Sequence, residues 1–428
     1  RLQYACPNIR GEAYTIYTNT PVGGAMRGYG IPQVCFAIES FMDDVANEIH
    51  MDPLEFRRKN LIQGYYEDAY LKPIAANTNG IFECLEKGAE YIHWDEKRKE
   101  YAEQTGDVRK GVGMALFSYK TGVWPISLEI AGARLSLNQD GSVQLMLGAT
   151  EIGQGADTVF SQMVAGTLRT DMEHVHIKTV QDTDVSPFDT GAYASRQSFV
   201  TGTAVRHCAE ILRDKILAYA KTLLPEIDTR ELTLKDNWIW AGDEQAISLA
   251  ALAEESYYSL TNSSVLTAEV SEQVKKNTIA TGCCFAEVEV DIKLGKIKIL
   301  HIINVHDSGK LLNPQLAEMQ VHGGMSMGMG YGISEQLILD EKTGRPLNGN
   351  LLDYKLMTML DTPDIKADFV ELCDPMGPYG NKALGEPPAI PCAPAIRNAV
   401  LHATGVAFYE NPLTPQRLID GFQKAGLI

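Results

Sequence analysis

No apolar run in this 428-residue chain approaches the ~20 residues that a membrane span requires, and no signal peptide is seen. Neither a membrane protein nor a secreted one is expected, and the cytoplasm is the expected location. The sequence opens at Arg1 rather than Met, directly in what reads as structured sequence, so a segment of something longer is expected. Patterns that ligate metals are scarce. The eight cysteines (Cys6, Cys35, Cys84, Cys208, Cys283, Cys284, Cys373 and Cys392) include no Cys-x-x-Cys pair and no regular framework. The adjacent Cys283 and Cys284 sit in a strand-like run where successive side chains face opposite ways. Reduced thiols are expected, with no iron–sulfur cluster on this chain. The nine histidines form no His-x-x-x-His pair, and the aspartates of the 182–189 loop lack the spacing of a twelve-residue calcium loop. Side chains are therefore not expected to hold a metal directly. Positive charge is in short supply too: 38 Lys and Arg against 55 Asp and Glu give a net charge of -17 without a local basic patch. Phosphate backbones would be repelled, so nucleic acid is not an expected partner.

Apolar residues make up 45% of the chain, enough for real cores, and the length suggests about two to three domains. Apolar residues at helical spacing from Val34 to His50 predict a helix, and Pro53 opens a second that ends at Arg57-Arg58-Lys59. Residues 61–106, with Lys72-Pro73 and a helical region over Cys84–Glu103, read as a connection between two units. Alternation at Leu135, Leu137, Val143, Leu145 and Leu147 around Asp140-Gly141 predicts a hairpin. A helix over Ala156–Leu168, a strand over Val175–Val180, a loop over Gln181–Ser195 and a helix around Val200–Leu223 follow. A similar order recurs: Phe285–Ile292 and Lys296–Val305 pair about Leu294-Gly295, and Asn313-Pro314 opens a helix through Gly332. An α+β class with an internal duplication is expected. Five glycines inside that last helix cost ~1 kcal/mol each relative to Ala; close approach by another backbone or by a bulky ligand would account for them, as would packing without a ligand.

Three stretches carry candidate chemistry. Gly385-Glu386-Pro387-Pro388 presents one carboxylate on a rigid backbone ahead of a helical run. It suits a general base, and equally a plain helix start with its acidic residue at the dipole's positive end. Gly23-Gly24-Ala25-Met26-Arg27-Gly28-Tyr29-Gly30 holds Arg27 between small residues, where it could offset anionic charge or simply lie on the surface; Tyr29 could line the same cavity. Gly153-Gln154-Gly155 before a helix offers backbone amides and a neutral donor to an oxyanion or oxo ligand. It lacks the Gly-Lys-Ser/Thr ending of a phosphate-binding loop, and Gly328-Met329-Gly330-Tyr331-Gly332 lacks the setting of a dinucleotide fingerprint.

Taken in order, Ala25–Gln33, Gly148–Thr158, Asp182–Ser195, Gln320–Gly330 and Lys382–Pro388 resemble the molybdenum-binding subunit of the xanthine dehydrogenase and aldehyde oxidase family of molybdenum hydroxylases. The resemblance implies a fold of the molybdenum-cofactor-binding type with two related α+β subdomains. Residues 1–64 would be the C-terminal part of the first cofactor-binding domain and 65–428 the second. It implies a molybdenum–pterin cofactor, in plain or cytosine dinucleotide form, whose dithiolene holds the metal. Iron–sulfur and FAD subunits or domains, and an N-terminal part of the molybdenum subunit, would be partners within an oligomer. Glu386 would deprotonate a molybdenum-bound hydroxide, which attacks an electron-poor carbon as hydride passes to a sulfido group. Arg27 and Tyr29 would face substrate; Gly28, Gly153, Gln154, Gly155, Ala194 and Ser195 would line the cofactor. The implied activity is hydroxylation of a purine such as xanthine or hypoxanthine. Alternatives are an aldehyde or N-heterocycle dehydrogenase, such as one for nicotinate, or a scaffold without cofactor. The sequence departs from the family at three places: no Gly-Gly-x-Phe-Gly loop is present, which places that loop upstream of Arg1 or on a separate chain; Met327 stands where many members have an amide; and residues 117–126 lack a pair of phenylalanines to sandwich a purine, leaving Tyr119 and Trp124 as substitutes.

Overall fold

The computed structural model describes residues 3–63, 66–67, 73–74, 78–178 and 180–428. The expected domain junction at 64/65 and the Lys72 position lie outside them, as does residue 179 of the expected 175–180 strand. Helix α1 (Ile31–Glu48) carries Pro32 in its first turn, and α2 (Pro53–Asn60) is capped by Asp52, whose carboxylate accepts the N–H groups of Leu54 and Glu55. Strands β1 (Tyr66–Glu67) and β2 (Pro73–Ile74) form a short antiparallel pair. Helices α3 (Ile81–Ile92) and α4 (Trp94–Glu100) divide the helical region expected over 84–103, because His93 between them takes a left-handed φ of 57°.

Two units of one design follow. The first runs β3 (Val108–Lys120), β4 (Ile130–Leu137), β5 (Val143–Leu147), α5 (Ala156–Leu168), β6 (Val175–Ile177) and α6 (Gly202–Leu223). A small antiparallel sheet of β7 (Leu232–Lys235), β8 (Trp238–Ala241) and β9 (Glu244–Ser248) then leads into α7 (Leu249–Tyr258). The second unit runs β10 (Thr267–Gln273), β11 (Ile279–Asp291), β12 (Lys296–Asp307), α8 (Pro314–Ile333), β13 (Asp364–Phe369) and α9 (Cys392–Thr404), with α10 (Pro415–Lys424) closing the chain.

In each unit an antiparallel hairpin (β4–β5, β11–β12) is followed by a helix and a strand that returns parallel to the hairpin's second member (β6 to β5, β13 to β12). The outer strands are exchanged. β3 directly precedes β4 in sequence yet pairs with β11, and β10 directly precedes β11 yet pairs with β4, giving sheet orders β10-β4-β5-β6 and β3-β11-β12-β13. The duplicated α+β architecture is thus laced together by two strands that swap sheets.

The second sheet is covered on both faces. Cys284, Ala286 and Val288 turn toward α9, while Cys283 and Phe285 turn toward α3 and Trp94. Residues 61–106, expected as a connection, therefore supply a packing layer through α3 and α4. Among the described residues no helix is long and apolar enough to cross a membrane.

Candidate active site

Glu386 begins a tight turn, Pro387–Ala389, ahead of α9. The turn rests on α8, and here two of the helix's glycines find their cause. A Cβ on Gly324 would stand 2.4 Å from Cβ of Pro388, and one on Gly328 would stand 2.7 Å from the carbonyl oxygen of Ala389. The close neighbours are the Pro388 ring and the backbone of the turn. Bare helix surface lets the diproline turn sink against α8, and Pro387 and Pro388 are buried there, so the carboxylate just ahead of them has a fixed origin.

The carboxylate itself is clamped. Oε1 accepts the backbone N–H of Gly28 at 3.0 Å. Oε2 accepts the phenol of Tyr119 at 2.5 Å and the hydroxyl of Ser195 at 3.2 Å, while Ser195 Oγ accepts the Glu386 N–H at 2.8 Å. Ala194 and Ser195 both hold left-handed φ values, 48° and 49°, a conformation non-glycine residues adopt only when their surroundings enforce it. Tyr119 does not fill the expected role of an aromatic face for substrate. Its ring is buried with Cys35, Phe117, Ala280, Ala383 and Ile390, and its hydroxyl is committed to Glu386. Burial first, then the charge and hydrogen bond of Glu386, push the phenol well above its ordinary value, so it stays a donor. Trp124 is half-buried and does not line the cavity described next.

Glu386 opens onto a cavity of about 580 Å³. Arg27 and Tyr29 reach it from the loop before α1, Gly153 and Gln154 from the loop after β5, Ser195 from the loop before α6, and Ser308 and Lys310 from the end of β12. Gly28, Gly155 and Ala194 stand behind this lining. Arg27 ties the wall together: its Nε donates to the carbonyl of Gly385, and its Nη2 to the backbone and side-chain oxygens of Gln320 at 3.0 and 3.1 Å. Gln320 was not singled out as a side chain from the sequence. Burial lowers the Arg27 pKa, with Glu386 opposing, yet the guanidinium hydrogen-bonds only neutral acceptors among the described residues.

The Gly153-Gln154-Gly155 loop is arranged differently from expectation. Its amides are engaged by Glu151, whose Oε1 accepts Gly153 N–H at 2.7 Å and Gly155 N–H at 3.1 Å, and whose Oε2 accepts Asp157 N–H at 3.1 Å. Burial works against that charge, but the amides outweigh it and hold the Glu151 pKa below its ordinary value. The Gln154 amide donates to Gln197 Oε1 at 2.6 Å and to Thr150 O at 3.0 Å. A carboxylate one turn ahead of a helix start was the signal available in the sequence for this cap.

An anionic organic group suits this cavity. Arg27 brings a cation with neutral partners to its wall, and among the described residues Ser308 Oγ is buried there without a hydrogen-bond partner and Glu386 is the lone carboxylate of the lining. Among the described residues no group of three His, Cys, Asp or Glu side chains could hold a metal ion. The molybdopterin cofactor-binding domain model matches residues 87–363, and a second model of the same description matches residues 1–61. The chain belongs to the molybdenum hydroxylase family. It is 48% identical over 419 residues to the putative xanthine dehydrogenase molybdenum-binding subunit XdhA of Escherichia coli K12, covering 97% of this chain and 55% of that protein. It is 30% identical over 435 residues to the probable hypoxanthine oxidase XdhD of the same organism, covering 98% of this chain and 44% of that one. The chain thus spans about half the length of the curated relatives it matches. Its fold is that of quinoline 2-oxidoreductase from Pseudomonas putida 86, with a TM-score of 0.86 at 24% identity over 94% of this chain and 53% of that one.

Proposed function

We propose that this molybdenum hydroxylase chain is the C-terminal part of a cytoplasmic molybdenum subunit that hydroxylates a purine such as xanthine or hypoxanthine. Water is the oxygen source. Iron–sulfur and FAD centres on partner subunits or domains accept the two electrons that leave the substrate, within an oligomeric assembly. Residues 1–64 end one cofactor-binding domain in this reading, and 65–428 form the next. The carrying observation is a single carboxylate, clamped by three donors, on the wall of a cavity sized for an organic cofactor and facing a loop that bears Arg27. The 48% identity to the E. coli subunit favours the purine.

When bound, the cofactor supplies a redox metal that withdraws electrons from the substrate carbon. The chain's residues do the rest. Glu386 takes the proton from the water-derived nucleophile; its anchoring by Ser195 and Gly28 fixes where that proton goes. Arg27, with Tyr29 beside it, offsets negative charge developing on the substrate ring. Gln154 and Ser195 would line the cofactor, backed by Gly28, Gly153, Gly155 and Ala194, in loops that Glu151 and Glu386 already pin in place. Steady-state assays of the assembled complex on xanthine, hypoxanthine, nicotinate and an aromatic aldehyde test the substrate. A kcat/KM for a purine exceeding the others by about ten-fold or more is expected; preference for nicotinate or the aldehyde would replace the purine with that substrate.

A further inference from the structure

A carboxylate offers about four acceptor positions, two on each oxygen. Around Glu386 three are filled among the described residues: Tyr119 Oη and Ser195 Oγ both donate to Oε2, and Gly28 N–H donates to Oε1. The open position is on Oε1. Ser195 is held in this arrangement by its own backbone and by the Glu386 N–H. Tyr119 arrives from a different direction, on β3, with its ring buried in the core and only its hydroxyl at the site. The charged or titratable groups that face Glu386 are Tyr119 from β3 and Arg27 from the loop before α1, with Tyr29 of that loop acting on Tyr119. Of these, Tyr119 alone hydrogen-bonds the carboxylate.

We propose that Tyr119 is a positioning residue for the hydroxylation: by saturating Oε2 together with Ser195, it makes Oε1 the oxygen of Glu386 that receives the proton. Tyr119 keeps its own proton throughout and donates the same hydrogen bond before and after the transfer. Replacing the phenol by Phe leaves the packed ring in place and opens a second acceptor position on the wrong oxygen. The carboxylate then samples two orientations of proton acceptance, of which one is aligned.

The proposal rests on Glu386 being the base, and the test separates the two. In the assembled holoenzyme, Tyr119→Phe is expected to lower kcat by about ten-fold or more, as for the loss of a hydrogen bond to a charged group. KM, molybdenum content and pterin content should stay near wild type, and the solvent deuterium isotope effect on kcat should rise because proton transfer becomes slower relative to the other steps. A ring that only fills space would leave kcat and the isotope effect unchanged. Should the Phe variant lose cofactor, a ring-fluorinated tyrosine at 119, which alters little besides phenol acidity, carries the test through a changed kcat. Wild-type kcat and isotope effect in Tyr119→Phe, with Glu386→Ala inactive, would overturn the role of Tyr119 and leave the base intact. An active Glu386→Ala would remove both.

Discussion

At the scale of single residues, the site divides into a group that reacts and groups that hold it. Glu386→Ala removes the proton acceptor while leaving the Arg27–Gln320 strut and the α8 packing in place. Turnover should fall by about 10²-fold or more, with molybdenum and pterin still bound, as metal analysis and pterin fluorescence would show. Loss of cofactor along with activity would instead make Glu386 a structural residue. Arg27 acts twice, as cation and as strut. Arg27→Lys keeps the charge but cannot reproduce the forked contacts with Gly385 and Gln320. It should slow substrates whose rings become anionic more than those that stay neutral; equal slowing of both would leave Arg27 only the strut. His306 makes a prediction about pH. It is fully buried beside Phe117 and Phe369, both ring nitrogens lack partners among the described residues, and burial, then Arg27, lowers its pKa from 6.5 to about 3. The unfolded chain takes up this proton below pH 6.5 and the folded chain does not, so stability rises with pH between about 3 and 6.5. Thermal unfolding should therefore occur at lower temperature on acidification through that window, and His306→Phe should flatten the slope. An unchanged slope would mean the histidine titrates in the fold.

At the scale of elements, the proline turn and the glycine helix work as a pair. Gly324→Val forces side-chain atoms into Pro388, an overpacking that should cost about 1–3 kcal/mol and displace Glu386. Activity should drop more steeply than unfolding temperature; a stability loss with unchanged kcat would show that the turn can shift without moving the carboxylate. The loop that carries Glu386 is also held from below, where Lys382 pairs with Asp307 at 2.7 Å with both side chains fully buried. Asp307 in turn accepts the N–H of Gly80, tying the loop to the start of α3. Lys382→Met leaves an unpaired buried carboxylate, which should cost about 3–5 kcal/mol, read by chemical denaturation. A loss below about 1 kcal/mol would place that pair in water.

At the scale of the whole molecule, the site exists because five distant stretches converge. Much of this was legible from residue types. The diproline after Glu386, the small residues flanking Arg27 and the Gly-Gln-Gly turn each announce a constrained backbone, and helical and alternating spacings locate α1, α5, α8 and both hairpins. What escaped was pairing. Nothing in the spacing of β3 or β10 reveals that each leaves its neighbour's sheet for the other unit, because an antiparallel strand with an apolar face fits either hairpin. Tyr119 reads as a substrate face in the sequence for the same reason: its contact with Glu386 spans 267 positions and depends on that exchange. The role of α3 and α4 as a layer was hidden too, since amphipathic helices between two units look like a linker until the sheet's second face is seen to be apolar. The most direct test of the central claim, that these stretches enclose a molybdenum cofactor beside Glu386, is an anomalous difference map of holoenzyme crystals at the molybdenum absorption edge. The account predicts one peak in the cavity between Glu386, Gln154 and Arg27, within reach of Glu386 directly or through one water. A molybdenum peak elsewhere, or a cavity closed by side chains in a molybdenum-replete crystal, would contradict it.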